Sequence, residues 1–142
     1  MRRSPLRVLL VDDQPLFLET LALLLGGDER VLVVGSAHDG LEAVRLAQDL
    51  APDLVLMDLD MPVLDGVEAT VRILATLPTA SVVIVSGSDC ASDVDRARRA
   101  GAAGYVTKSR LAIDLESAIA AAALSRGRGC KVSGRAASLR MG

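Results

Sequence analysis

Three aspartates, a serine and a lysine carry the chemistry this sequence offers. Asp12 and Asp13 follow the apolar run LRVLLV, and Asp58 follows DLVLM. Ser86 follows SVVIV, and Lys108 follows AGYVT. Each polar group stands at the carboxyl end of a short aliphatic segment. One such residue means little, because strand ends meet polar loops. Four segment ends that together present carboxylates, a hydroxyl and an ammonium read as a site.

The group has a strong electrostatic demand. Two carboxylates about 4 Å apart repel by about 4 kcal/mol at an effective dielectric of about 20. Three ionised together call for a cation. Mg2+ suits the demand, because it takes few carboxylates, keeps waters and accepts phosphate oxygens. Lys108 is then available to one phosphoryl oxygen and Ser86 to another. Metaphosphate-like transfer needs alignment and charge neutralisation above all, so the set reads as a place to put a phosphoryl group on a carboxylate.

The elements that must position these residues are legible in the same runs. Candidate strands are Leu6–Val11, Val31–Ser36, Asp53–Met57, Ser81–Val85 and Ala103–Thr107. Helical patterns alternate with them. The first starts at Pro15, which suits a first helical turn, shows Leu16, Thr20, Leu21 and Leu24 on one face, and stops at Gly26-Gly27. The second carries Leu41, Val44, Ala47 and Leu50, and the third follows Asp65-Gly66 with Val67, Val71 and Leu74. The fourth is short and polar, over residues 92–100, and the fifth spans about residues 112–124 with Leu115, Ala118, Ile119 and Ala122. Strands that are continuously apolar and alternate with helices predict an α/β fold, a parallel sheet covered on both faces. Right-handed crossovers make it doubly wound, and such sheets bind at the carboxyl ends of their strands.

Composition agrees. The 142 residues are 51% apolar with one Phe, one Tyr and no Trp, so aliphatic side chains must fill the core. No run approaches the roughly 20 apolar residues of a membrane helix, and the N-terminal run is too short for a signal peptide. A cytoplasmic location is expected. Cys90 and Cys130 fit reduced thiols without metal-ligand spacing. Net charge is −2, unevenly spread: residues 126–142 hold five basic groups and no acid, which leaves 11 basic and 18 acidic groups before them. That segment reads as a basic flexible linker or tail.

On these segments the sequence resembles the response-regulator receiver family over residues 5–125. VLLVDDQP resembles its acidic pair, DLVLMDLDMPVLDG its phosphorylation segment, VVIVSGS its Ser/Thr strand end, and GAAGYVTKS its aromatic-then-lysine strand. DDQPLF, VVGSAHDGLEAV and AGAAGYVTKS are most similar to receivers of the LuxR/NarL type. The resemblance implies a flavodoxin-like receiver fold with strand order 2-1-3-4-5. It implies Asp58 as phosphoacceptor from a sensor histidine kinase, with Asp12, Asp13 and the backbone carbonyl of Asp60 joining Asp58 around Mg2+. Ser86 and Lys108 would hold phosphoryl oxygens, and Ser86 and Tyr105 would form the switch. It further implies a phosphorylation-dependent homodimer, and transcriptional control with DNA bound only through an output domain not present in this chain. Three positions depart from the common pattern: Ser109 follows the lysine where proline is frequent, Gly87 replaces alanine, and Asp60 is acidic beside the path of hydrolytic water. A cis Lys108–Ser109 bond would cost about 3 kcal/mol without proline.

Other readings remain in view. Asp58-Leu59-Asp60 also resembles the nucleophile motif of haloacid-dehalogenase-type phosphatases, but those place the nucleophile on the first core strand, and here the acidic pair comes first. After residue 125 no two-helix DNA-reading pattern fits, so the chain is expected to be a receiver cut in its linker, or alternatively a stand-alone receiver acting by protein contact. His38 reads as a surface residue, since one histidine lacks the partners zinc requires. Arg96, Arg98 and Arg99 with Asp93 and Asp95 read as a solvated face. The glycines match no nucleotide-binding loop.

Overall fold

The computed structural model describes residues 4–127. Five strands, β1 (Leu6–Val11), β2 (Val31–Ala37), β3 (Leu54–Asp58), β4 (Ser81–Ser86) and β5 (Gly104–Thr107), form one sheet in the order β2-β1-β3-β4-β5. Every neighbouring pair is parallel. Five helices connect them: α1 (Pro15–Gly26), α2 (Gly40–Leu50), α3 (Gly66–Thr76), α4 (Ala91–Ala100) and α5 (Leu111–Gly127). A single 3-10 turn, Lys108–Arg110, joins β5 to α5. The expected doubly wound α/β architecture is therefore present, and no helix among the described residues is long and apolar enough to cross a membrane.

Strand alternation divides the core in two. Leu6, Val8, Leu10, Leu54, Leu56, Val83, Val85 and Val106 point to the face covered by α1 and α5. Leu9, Val11, Val55, Met57, Val82 and Ile84 point to the face covered by α2, α3 and α4. Both faces of the central strands are buried, which is why they read as unbroken aliphatic runs. Asp39 and Asp65 cap α2 and α3 by accepting the backbone N–H of Glu42 and Glu68 at 2.8 and 2.9 Å.

Several helix faces differ from the expectation. α1 buries Leu18, Leu21 and Leu25, whereas Leu16 is 77% exposed and Leu24 45%. Leucines occur all round this helix, so periodicity alone could not orient it. α3 buries Ala69, Thr70 and Ile73, while Val71 is exposed. The small residues of α3 lie nearest the sheet because the backbone approaches closely there: a Cβ on Gly66 would stand 2.2 Å from the Asp58 carbonyl oxygen. α2 likewise buries Ala43 and Ala47 and leaves Leu41 exposed. The α5 face matches, with Leu115, Ile119 and Ala122 buried, and the helix runs to Gly127, three residues past the expected end. The basic segment from residue 128 onward lies outside the described residues. No peptide among the described residues is cis, Lys108–Ser109 included.

Candidate phosphoryl-acceptor site

Asp12 follows β1 directly and extends its ladder, its N–H donating to Ala37 at 3.1 Å. Asp58 is the last residue of β3, between β1 and β4. Ser86 ends β4 and Lys108 opens the turn after β5. Parallel strands bring all these ends to one edge of the sheet. There, one carboxylate oxygen from each of Asp12, Asp13 and Asp58 lies within 4.8 Å of the others. Asp12 and Asp58 are buried and Asp13 is exposed, so the cluster has a closed floor and an open mouth.

Asp12 divides its two oxygens. Oδ1 accepts the backbone N–H of Gln14 at 2.8 Å, which fixes the entry to α1. Oδ2 is buried and receives no hydrogen bond of good geometry among the described residues. Its ion-pair partner is Lys108, whose Nζ stands 2.9 Å away and 3.7 Å from Asp58 Oδ1. A buried carboxylate oxygen left without a directed donor is costly unless a cation serves it. The three-oxygen set is therefore a fitting donor set for a hard divalent ion. Lys108 already supplies part of the neutralisation expected of a divalent cation.

Asp58 bears the remaining strain. Burial pushes its carboxyl pKa up to about 7, the Asp12 charge adds to the rise, and Lys108 opposes it. The loop after Asp58 is tied back by the Gly66 N–H donating to the Leu59 carbonyl at 2.8 Å. Within it Val63 has φ 69°, a left-handed conformation unusual for a β-branched residue. Asp60 is exposed two residues beyond Asp58, and its side chain is not among the three clustered oxygens.

Ser86 is buried, and its Oγ accepts the Ser88 N–H at 3.1 Å. Tyr105, half-buried on β5, donates its hydroxyl to the Ser88 carbonyl at 2.6 Å. The expected switch pair is thus joined through one loop residue, Ser88, which the sequence reading gave no such part. Burial raises the Tyr105 hydroxyl pKa. Its ring lines a cleft of about 420 Å³ together with Val94, Thr107, Arg110 and Asp114. Cys90 is an exposed thiol at the start of α4, outside the carboxylate cluster, and His38 pairs with Glu42 at the surface. Arg96 pairs with Asp93 and reaches Asp65 of the α3 cap, both at 3.4 Å, so one arginine of the charged face links two elements. Sequence reasoning also missed Phe17, whose ring lies under the Lys108 ammonium. The available signal was a lone phenylalanine four residues after Asp13.

A doubly wound parallel sheet with an acidic cluster and a lysine at its carboxyl edge is the arrangement expected of a signalling receiver domain. Comparison with known proteins agrees. Residues 8–120 match the family model for the response regulator receiver domain. The transcriptional regulatory protein YxjL of Bacillus subtilis is 39% identical over 87% of this chain and 56% of its own length. A LuxR-family two-component response regulator from Aurantimonas sp. SI85-9A1 superposes with TM-score 0.80 at 35% identity over 96% of each chain. The signal receiver domain of the response regulator NarL from Mycobacterium tuberculosis superposes with TM-score 0.75 at 32% identity, over 90% of this chain and 100% of that one. The chain belongs to the response regulator receiver family, with LuxR/NarL-type regulators among its relatives. It spans about half the length of curated relatives such as YxjL.

Proposed function

We propose that Asp58 accepts a phosphoryl group from the phosphohistidine of a sensor histidine kinase. Its carboxylate oxygen attacks phosphorus, the phosphorus–nitrogen bond breaks, and the leaving imidazole keeps the electron pair and takes a proton. Asp12, Asp13, Asp58 and the backbone carbonyl of Asp60 would hold Mg2+, which when bound supplies charge neutralisation for the incoming phosphoryl oxygens. Lys108 exchanges its Asp12 contact for one phosphoryl oxygen, and Ser86 donates to another. The observation that carries this reading is the convergence of three aspartate oxygens within 4.8 Å, with the Lys108 Nζ 2.9 Å from one of those carboxylates.

The output is a changed protein surface. A phosphoryl group adds charge and strong acceptors. Ser86 moving toward it draws on the Ser88 loop, and Tyr105 follows because its hydroxyl is bonded there. The affected surface belongs to α4, β5 and α5, and a phosphorylation-dependent homodimer is its expected consequence. In this reading residues 5–125 are the receiver and 126–142 a basic linker or tail. The domain acts in the cytoplasm as a self-modifying acceptor and not as an enzyme on external esters. It serves transcriptional control, as the names of its curated relatives YxjL and LiaR state for those proteins, and does so through an output domain.

Incubation with Mg2+ and a small acyl phosphate tests the chemistry by intact mass. One added phosphoryl group is expected, lost in Asp58→Asn and with chelator. Labelling that survives Asp58→Asn would place the acceptor elsewhere.

A further inference from the structure

The Lys108 ammonium stands 4.2 Å from the centroid of the Phe17 ring while also facing Asp12 and Asp58. That distance is within the range of cation–π attraction. Phe17 is the only phenylalanine in the chain, which has one tyrosine and no tryptophan. The fully buried hydrophobic residues are all aliphatic or methionine, and a leucine would serve for packing alone. The ring is firmly placed. Pro15 opens α1, the Phe17 N–H donates to the Gln14 carbonyl at 3.0 Å, and the Gln14 N–H is held by Asp12 Oδ1. The ring packs against the core layer shared by α1 and α5. Asp12 therefore contacts the lysine with one oxygen and sets the start of the helix that carries the ring with the other.

We infer that Phe17 is a positioning residue for Lys108: its ring face holds the ammonium at the site when Asp12 is engaged by a divalent cation. This rests on the phosphoryl-acceptor reading above. A cation at Asp12 weakens the pull of that carboxylate on the ammonium, and the long lysine chain gains rotamers that leave the site. A fourth carboxylate could hold the lysine but would compete for the cation and add repulsion. A ring face attracts the ammonium without a net negative charge.

The test uses the full chain with Phe17→Leu and Phe17→Tyr. In chelator-treated protein, NMR of the Lys108 ε-methylene reads the ring directly. The upfield ring-current shift is expected in wild type and in Phe17→Tyr, and its loss in Phe17→Leu. With Mg2+ and a small acyl phosphate, the labelling rate in Phe17→Leu should fall about three- to tenfold, with Phe17→Tyr close to wild type. Unchanged shift and rate in Phe17→Leu would overturn the inference, as would a rate loss equal in both variants. If Phe17→Leu is too unstable to study, wild type and Phe17→Tyr still decide it: absence of the shift in wild type, or a slow Phe17→Tyr that retains its fold, counts against it. Failure of the wild type to take a phosphoryl group would instead sink the underlying function, and the shift would still show whether ring and ammonium meet.

Discussion

Burial and the Asp12 charge hold the Asp58 carboxyl near pKa 7 despite Lys108, against an ordinary value of 3.8 for an exposed aspartate. The sign of the consequence follows from linkage. Between these two values the folded protein keeps a proton that the unfolded chain has lost, so stability falls as pH rises through that window. A rise of that size is worth at most about 4 kcal/mol. Chelator-treated protein should therefore lose stability from about pH 4 to pH 7 in denaturant titrations. Asp58→Asn removes the titrating group, so its profile should be flatter and its stability at pH 7.5 higher by about 1–3 kcal/mol. Cation binding needs the deprotonated carboxylate, so Mg2+ affinity should rise with pH up to about 7, with proton release measurable by calorimetry in two buffers. A flat stability profile in the wild type, or the same slope in Asp58→Asn, would count against this account of the site.

At the element scale, the strands and the inner face of α5 were readable, whereas the inner faces of α1, α2 and α3 were legible only in part. Central strands buried on both faces leave one signature, an uninterrupted aliphatic run, and β1, β3 and β4 lie within a residue of where that signature puts them. Their ends, and hence Asp12, Asp58, Ser86 and Lys108, came with them. α1 has leucine at 16, 18, 21, 23, 24 and 25, so its sequence allows more than one inner face. The choice is made by how the chain leaves β1, where Asp12 Oδ1 pins Gln14, and that contact has no sequence period. The Phe17–Lys108 meeting was hidden for the same reason, since it joins residues far apart in sequence. The observed face predicts a contrast: Leu18→Ala should cost about 2–4 kcal/mol and Leu16→Ala under about 0.5, read by urea melts. The loop between β3 and α3 makes a second prediction. Val63 at φ 69° carries strain that asparagine tolerates better. Val63→Asn should stabilise by about 1 kcal/mol, and a loss of similar size would show that the valine side chain contributes more than its backbone costs.

At the scale of the whole molecule, the site is assembled from separate parts of one sheet. Two of its carboxylates follow β1, one ends β3, and the lysine follows β5 at the far edge. Each strand is held by core layers on both faces, so the cluster exists only when the sheet is complete. Unfolding separates Asp12 and Asp13 from Asp58 by more than 40 residues of chain, and the unfolded protein offers no comparable site. A ligand that binds only the folded state stabilises it by mass action, about 2.7 kcal/mol at a hundred times its Kd. For a domain of this length that is a rise in Tm of about 10 °C. Thermal melts across Mg2+ concentrations at pH 7.5 should therefore shift upward with the logarithm of free Mg2+. Asp13→Asn should suppress the shift with little change in chelator, because Asp13 is exposed and its removal opens no cavity. Asp12→Asn should suppress it as well, but should also disturb the start of α1 through Gln14. A Tm independent of Mg2+ in the wild type would mean that the three oxygens, close as they are, do not form a cation site in solution.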